Sequence, residues 1–357
     1  MVLISSCLSA RYLFVATLVL GWPFIASAQM TPASPAYGAE LEGFTYPFEV
    51  KTYAFTSQGR ALQMRYMDIS PTQPDQANGR TVVLMHGKNF CAATWEGTIT
   101  ALTGAGYRVI APDQIGFCKS SKPDHYQYSF HQLAANTNAL LQSLGIQRVT
   151  VMGHSMGGML ATRYALQYPQ QTEQLVMVNP IGLEDWKTKG VPYLTPDQWY
   201  ENELKTNAQG IRNYQQSTYY VGQWRPEFDR WVNMQAGMYA GPGREIVAWN
   251  SALTYEMVYT QPVVYEFPTL TVPTLLLIGT KDNTAIGKNF APPAMRGYLG
   301  NYAALGKAAA AAIPNAKLIE FEYLGHSPQI QEADRFHAAL LNGLVLTQPK
   351  QGQPLTR

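Results

Sequence analysis

The chain has 357 residues, with 26 basic and 24 acidic side chains and a formal charge of +2. That length suits one large domain, or one domain carrying an insertion, and the near-neutral balance supplies no basic face for nucleic acid. No period of twenty to fifty residues recurs, which argues against a repeat solenoid.

In chain order, Arg11 precedes the apolar run "YLFVATLVLGWPFIASA", which closes on Ala26-Ser27-Ala28. This reads as a secretory signal peptide over 1–28, cut after Ala28. Pro23 and the shortness of the run count against the alternative, an uncleaved membrane anchor. The expected location is therefore exported, periplasmic or extracellular, with no membrane span in the mature chain. Residues 29–47 read as a flexible lead-in. Cys7 leaves with the signal, so the mature chain keeps Cys91 and Cys118, an even pair in an oxidising compartment. No Cys/His zinc pattern occurs, and neither a metal nor a cofactor is expected.

"FEVKTYAFTSQGRALQMRYMDIS" predicts a hairpin turning near Gln58-Gly59. "RTVVLMHG", "YRVIAPD", "RVTVMG", "QLVMVNP", "PTLLLIGTKD" and "AKLIEFEYLGH" have the apolar, β-branched character of buried parallel strands. Helical stretches fall between them over 94–104, 130–144, 157–167 and 330–344. The alternation predicts an α/β fold, a mostly parallel twisted sheet flanked by helices, with the hairpin at one edge. Residues 182–262 break the pattern. They are crowded with tryptophan and tyrosine and offer no comparable strand, so they are expected to form a helical insertion lying over the sheet as a lid. The core then comprises 48–181 and 263–347. Residues 283–317 are longer than a strand-to-strand connection requires. Their Gly and Pro content suggests a mobile flap, with the Ala-rich part helical.

The chemistry concentrates at "VMGHSMGG". Gly-x-Ser-x-Gly between a strand and a helix is a tight turn that presents the serine hydroxyl at the sheet's carboxyl edge. Gly153 and Gly157 are expected because a side chain at either would collide with neighbouring backbone. Ser155 is the candidate nucleophile, and it needs a positioned base. Among the histidines, His154 lies inside the turn and points away, and His86 reads as structural. His125, His131 and His337 lack the right placement. His326 follows the last strand, where a loop can lower an imidazole onto Ser155. Asp282, at the end of its strand on the same sheet edge, is the candidate orienting carboxylate, with Glu184 and Asp185 in reserve. The oxyanion donors are expected to be the N–H groups of Met156 and Lys88, with Asn89 as the neighbour in question.

These residues resemble an α/β-hydrolase with a lid domain: "HGKNF" at 86–90, "APDQIGFCKSSKP" at 111–123, "GHSMGG" at 153–158, "GTKD" at 279–282 and "GHSPQIQEADRF" at 325–336. The likeness extends over the mature chain from about residue 48, the lid being only loosely similar. It implies a serine hydrolase working through an acyl-enzyme, with Ser155, Asp282 and His326 in the chain order of that family. Haloalkane dehalogenases and epoxide hydrolases resemble the chain around "DQIGFCKSSKP", but they need a carboxylate where Ser155 stands. Two departures bear on the substrate. Gly116-Phe117-Cys118 replaces the usual Gly-x-Gly, and "HGKN" places a long cation where members often carry an apolar residue. The resemblance makes the loops holding Cys91 and Cys118 neighbours, which implies a disulfide that stiffens the oxyanion loop. Two buried free thiols are the alternative.

The expectation is an exported, cofactor-independent serine hydrolase, carboxylesterase-like (EC 3.1.1). Its substrate is a small-molecule ester or acyl compound with an apolar or aromatic part. A carbon–carbon bond hydrolase or an amino-terminal amidase on the same three residues remains open, as does a non-catalytic ligand-binding scaffold. Lys88, Arg163, Arg225 and Arg244 are candidates to receive a substrate carboxylate.

Overall fold

A computed structural model describes residue 2 and residues 35–344. The expected cleavage site after Ala28 lies outside the described residues. Eight strands form one sheet: β1 (Lys51–Ser57), β2 (Arg60–Ile69), β3 (Thr81–Met85), β4 (Arg108–Pro112), β5 (Val149–His154), β6 (Thr172–Val178), β7 (Thr274–Gly279) and β8 (Ala316–Phe321), in the order β1-β2-β4-β3-β5-β6-β7-β8. β1 pairs antiparallel with β2, and β2 with β4. All other pairings are parallel. At the hairpin, Gln58 and Gly59 have φ of 51° and 73°, the two consecutive left-handed residues that a two-residue connection requires.

Helices α1 (Glu96–Gly104), α2 (Phe130–Ser143) and α3 (Met156–Gln167) follow β3, β4 and β5. Between β6 and β7 the described residues hold α4 (Pro196–Glu203), α5 (Ala208–Tyr214), α6 (Asp229–Ala240) and α7 (Arg244–Thr260), and no strand. α8 (Pro293–Arg296) and α9 (Tyr302–Ala312) precede β8, and α10 (Pro328–Gln331) and α11 (Ala333–Gly343) follow it.

Alternate residues of the central strands enter opposite layers, as the pleat dictates. Val83, Met85, Val151 and Met177 join Leu133, Leu140 and Leu160 of α2 and α3. Val82, Leu84, Met152 and Val176 join Ile99, Phe336 and Leu340 of α1 and α11. Each such side chain contributes about 1.5–3 kcal/mol by leaving water. The two layers clamp the carboxyl ends of β5 and β7, where Ser155 and Asp282 follow.

The structure corrects three local expectations. The lead-in expected at 29–47 is packed where it is described: Leu41 is fully buried, and the Tyr37 N–H donates to the Gly237 carbonyl at 2.8 Å. β8, expected as a buried strand, is the outer strand and is only half-covered, with Phe321 alone fully inside. The helix expected over 330–344 is two helices, parted by Glu332 in a non-helical backbone (φ −136°, ψ 71°). The segment expected as a flap is hydrogen-bonded both outward and within itself. Its Gly300 N–H donates to the Glu184 carboxylate at 2.8 Å, and Lys288 Nζ donates to the Leu299 carbonyl at 2.9 Å. Its Ala-rich part is α9, as its composition suggests.

Candidate active site

Ser155 stands between β5 and α3 with φ 56° and ψ −122°, a sparsely populated backbone state for a residue with a side chain. The neighbouring glycines make that turn possible. A Cβ on Gly153 would lie 1.9 Å from the Gly157 carbonyl oxygen, and one on Gly157 would lie 2.1 Å from that of Met85. Met156 opens α3, so its N–H has no partner within the helix and faces the serine side of the turn. Gly87 packs against the turn from the other side, since a Cβ there would meet the Ser155 Cβ at 3.0 Å. The backbone of Lys88 therefore begins beside the hydroxyl.

Asp282 and His326, far apart in the chain, meet in a fully buried contact. His326 Nδ1 donates to Asp282 Oδ2 at 2.6 Å. The same carboxylate accepts from Asn179 Nδ2 at 2.9 Å and, at Oδ1, from the Thr284 N–H at 2.8 Å. With the ring proton held at Nδ1, the neutral imidazole presents a lone pair at Nε2. That atom is buried and has no hydrogen-bond partner, the Ser155 hydroxyl included. In the absence of substrate such contacts are often long and tighten only in the complex. His154 fixes the other end of the loop: its Nε2–H donates to the His326 carbonyl at 2.7 Å, and the two rings lie 4.8 Å apart. Burial and the neighbouring His326 push the His154 pKa well below the usual imidazole range, so it stays neutral and structural.

The remaining sequence candidates fall elsewhere. His86 accepts the Gln114 N–H at 3.0 Å and donates to the Gly87 carbonyl at 2.8 Å, bracing the loop. Glu184 is taken by Lys189 and Gly300, and Asp185 by the Lys187 N–H and the Tyr265 hydroxyl. Neither reserve acid is hydrogen-bonded to His326. The Asn89 side chain donates to the Tyr219 hydroxyl at 3.0 Å. Cys91 and Cys118 are joined as a disulfide, with Cα atoms 5.8 Å apart. They lie close to the Asp113 carboxylate, but both sulfurs are spent on the bond. Asp113 in turn accepts from the Ala92 N–H and the Tyr46 hydroxyl.

Two participants were not found from the sequence. Asn179, directly after β6, bridges β7 and Asp282 by accepting the Gly279 N–H at 2.8 Å while donating to the carboxylate. A polar residue closing an apolar strand next to that of Asp282 was the available signal. Tyr219 ends a π-helical turn at Gln215–Tyr219, and its ring covers His326 at 5.0 Å and Phe90 at 5.4 Å. Its backbone is tied down as well, because the Ser327 N–H donates to its carbonyl at 3.5 Å and the His326 N–H to that of Thr218 at 3.3 Å. Nothing in the aromatic composition of 182–262 singled it out.

Residues 80–333 match the model of the alpha/beta hydrolase fold family. The crystal structure of a probable hydrolytic enzyme from Pseudomonas aeruginosa PAO1 is similar, with 67% identity, a TM-score of 0.86, and coverage of 87% of this chain and 99% of that one. An uncharacterized protein of Mycobacterium bovis is 38% identical over 106 residues, 30% of each chain. A 2-hydroxy-6-oxo-2,4-heptadienoate hydrolase of Pseudomonas putida is 30% identical over 119 residues, 33% of this chain and 43% of the relative. The matches to these two curated relatives thus span less than half of the relatives' own length.

Proposed function

This chain belongs to the alpha/beta hydrolase fold family, and from that premise we propose that it is a serine hydrolase of carboxylic esters, with Ser155 as nucleophile, His326 as base and Asp282 as the orienting acid. The observation that carries the reading is the buried Asp282–His326 contact, whose free Nε2 lone pair lies on the loop that His154 ties to the serine turn.

In the proposed cycle, Ser155 Oγ bonds to the ester carbonyl carbon while its proton passes to His326 Nε2, and Asp282 stabilises the resulting imidazolium. The carbonyl oxygen, now negative, accepts from the N–H groups of Lys88 and Met156. Each such donor is worth about 2.7–4 kcal/mol in the transition state. Collapse breaks the carbon–oxygen bond to the alcohol, which leaves with the proton from Nε2. Water then repeats the sequence on the acyl-enzyme, releasing the acid and restoring the hydroxyl. The aromatic cover supplied by Tyr219 and Phe90 suits an acyl group with an apolar or aromatic part. Export through the 1–28 segment is part of the proposal, and a disulfide beside the oxyanion loop fits an oxidising compartment.

Turnover of p-nitrophenyl acetate, butyrate and octanoate, with a pre-steady-state burst of p-nitrophenol, tests the reading. Turnover of a vinylogous 1,5-diketone without any ester turnover would instead select carbon–carbon cleavage, a reading favoured by the similarity to the Pseudomonas putida hydrolase. Absence of any turnover by folded protein would select a binding scaffold.

A further inference from the structure

His326 is fully buried and Ser155 is only 6% exposed, yet an ester must bring its carbonyl carbon to the serine and its leaving oxygen to His326 Nε2. The rings of Tyr214, Tyr219 and His326 follow one another, with centroids 5.4 Å and 5.0 Å apart. The Tyr219 hydroxyl accepts from Asn89 Nδ2 at 3.0 Å, which latches the ring to the oxyanion loop. Tyr214 also lines a cleft of about 480 Å³ together with Trp199, Tyr255 and Phe290. That cleft reaches the supports of the buried pair. Two more of its lining residues are Thr218, whose carbonyl accepts the His326 N–H at 3.3 Å, and Thr284, whose N–H donates to Asp282. One layer of residues, with the Tyr219 ring in it, therefore parts the cleft from the imidazole.

The segment that carries Tyr219 is under strain. Gln215–Tyr219 forms a π turn, a form found mostly at functional sites. Val221 follows with φ 55°, a left-handed state that a β-branched residue rarely adopts. The Gln215 amide is buried, and neither its oxygen nor its nitrogen has a hydrogen-bond partner. These costs are carried by the closed arrangement, and opening the segment relieves them. On this geometry, and resting on the esterase reading above, we propose that Tyr219 is the gate between the cleft and Ser155. Its ring swings off His326 as the substrate enters, and an apolar acyl chain then lodges in the cleft among Trp199, Tyr214, Tyr255 and Phe290.

The chemistry of the cleft favours a neutral chain over an anion. Trp199 and Tyr255 are stacked with centroids 4.2 Å apart, and Phe290 stands edge-on to Trp199 at 5.9 Å, which gives the cleft an apolar wall. Its volume lies in the range of sites that take small molecules. The ammonium of Lys288, on the same cleft, donates to the carbonyls of Asn283 at 3.2 Å and Leu299 at 2.9 Å. The four cations that the sequence offers to a substrate carboxylate turn elsewhere. Arg163 pairs with Glu266, Arg225 holds the Gln331 carbonyl and Glu227, Arg244 holds the Leu204 carbonyl, and Lys88 donates to Ser251 Oγ at 2.5 Å.

The test uses the full chain with p-nitrophenyl octanoate beside p-nitrophenyl acetate, whose acyl group is too short to fill the cleft. In Tyr219→Ala the octanoate-to-acetate ratio of kcat/KM is expected to rise at least fivefold. In Tyr219→Phe, which keeps the ring but loses the latch to Asn89, it is expected to rise at least twofold. Asn289→Trp, at an exposed position on the cleft wall, is expected to lower octanoate turnover at least fivefold and leave acetate turnover unchanged. A ratio that neither Tyr219 variant changes would overturn the inference, and so would an Asn289→Trp effect that is equal on both esters or absent from both. Acetate turnover by the parent protein keeps the esterase reading intact in each of those cases. If Tyr219→Ala does not fold, Tyr219→Phe and Asn289→Trp decide. Turnover of neither ester by the parent protein would remove both readings.

Discussion

Replacing Asp282 by asparagine changes one atom in a fully enclosed network, and the consequence can be worked out donor by donor. In the native protein the carboxylate accepts three hydrogen bonds, from His326 Nδ1, Asn179 Nδ2 and the Thr284 N–H. An amide has one oxygen and one NH2 group. With the oxygen toward Thr284, the NH2 group faces both His326 and Asn179. The imidazole must then move its proton to Nε2, which removes the lone pair that accepts from Ser155. With the oxygen toward His326, the NH2 group confronts the Thr284 N–H, and a buried donor is left without an acceptor at about 1–3 kcal/mol. The wrong tautomer lowers kcat by about 10⁴-fold in a serine–histidine–aspartate site, equivalent to about 5.4 kcal/mol of barrier. Steady-state hydrolysis of p-nitrophenyl butyrate checks the rate, and denaturant unfolding checks the stability term. A folded Asp282→Asn protein within tenfold of the parent kcat would refute the role given to this carboxylate.

Three further outcomes follow from the same contacts. Gly157→Ala places a Cβ 2.1 Å from the Met85 carbonyl oxygen, so it is expected to cost about 3 kcal/mol or more, read as a lowered urea midpoint with activity lost. Cys91 and Cys118 are 27 positions apart. Removing the bond with a Cys91→Ser, Cys118→Ser double variant is therefore expected to cost about 3.5 kcal/mol by loop entropy, and intact mass before and after alkylation reports whether the thiols are free. His86 and His154 are held neutral by burial, which lowers both pKa values. The unfolded chain binds those protons near pH 6.5 and the folded chain does not. Stability is therefore full above that pH and falls below it by up to about 1.4 kcal/mol per pH unit for each histidine. A urea midpoint unchanged between pH 6.5 and pH 5 would contradict this.

The sheet was legible because its strands are short apolar runs whose alternate residues serve two layers, as Val82 to Met85 do. The serine turn was legible because local sterics admit only glycine at 153 and 157. The Asp282–His326 contact followed from both residues closing neighbouring strands, β7 and β8, at one sheet edge. What stayed hidden depends on side chains far apart in sequence and without period. Leu41 fills the core from a segment that reads as linker, and Glu332 parts the last helix without Gly or Pro. Asn179 reaches the carboxylate across the sheet, and Tyr219 is carried onto His326 by a π turn. Lys88 stood out in the sequence as a misplaced cation, but only the fold shows where its side chain goes.

The central claim is that the residue 155 hydroxyl becomes covalently acylated when its proton passes to His326. A fluorophosphonate probe measures this most directly, with the adduct mapped by peptide mass spectrometry. The expected result is one stoichiometric adduct on Ser155, absent in Ser155→Ala and slowed by several orders of magnitude in His326→Ala. Stoichiometric labelling of another residue, or none on folded protein, would contradict the account.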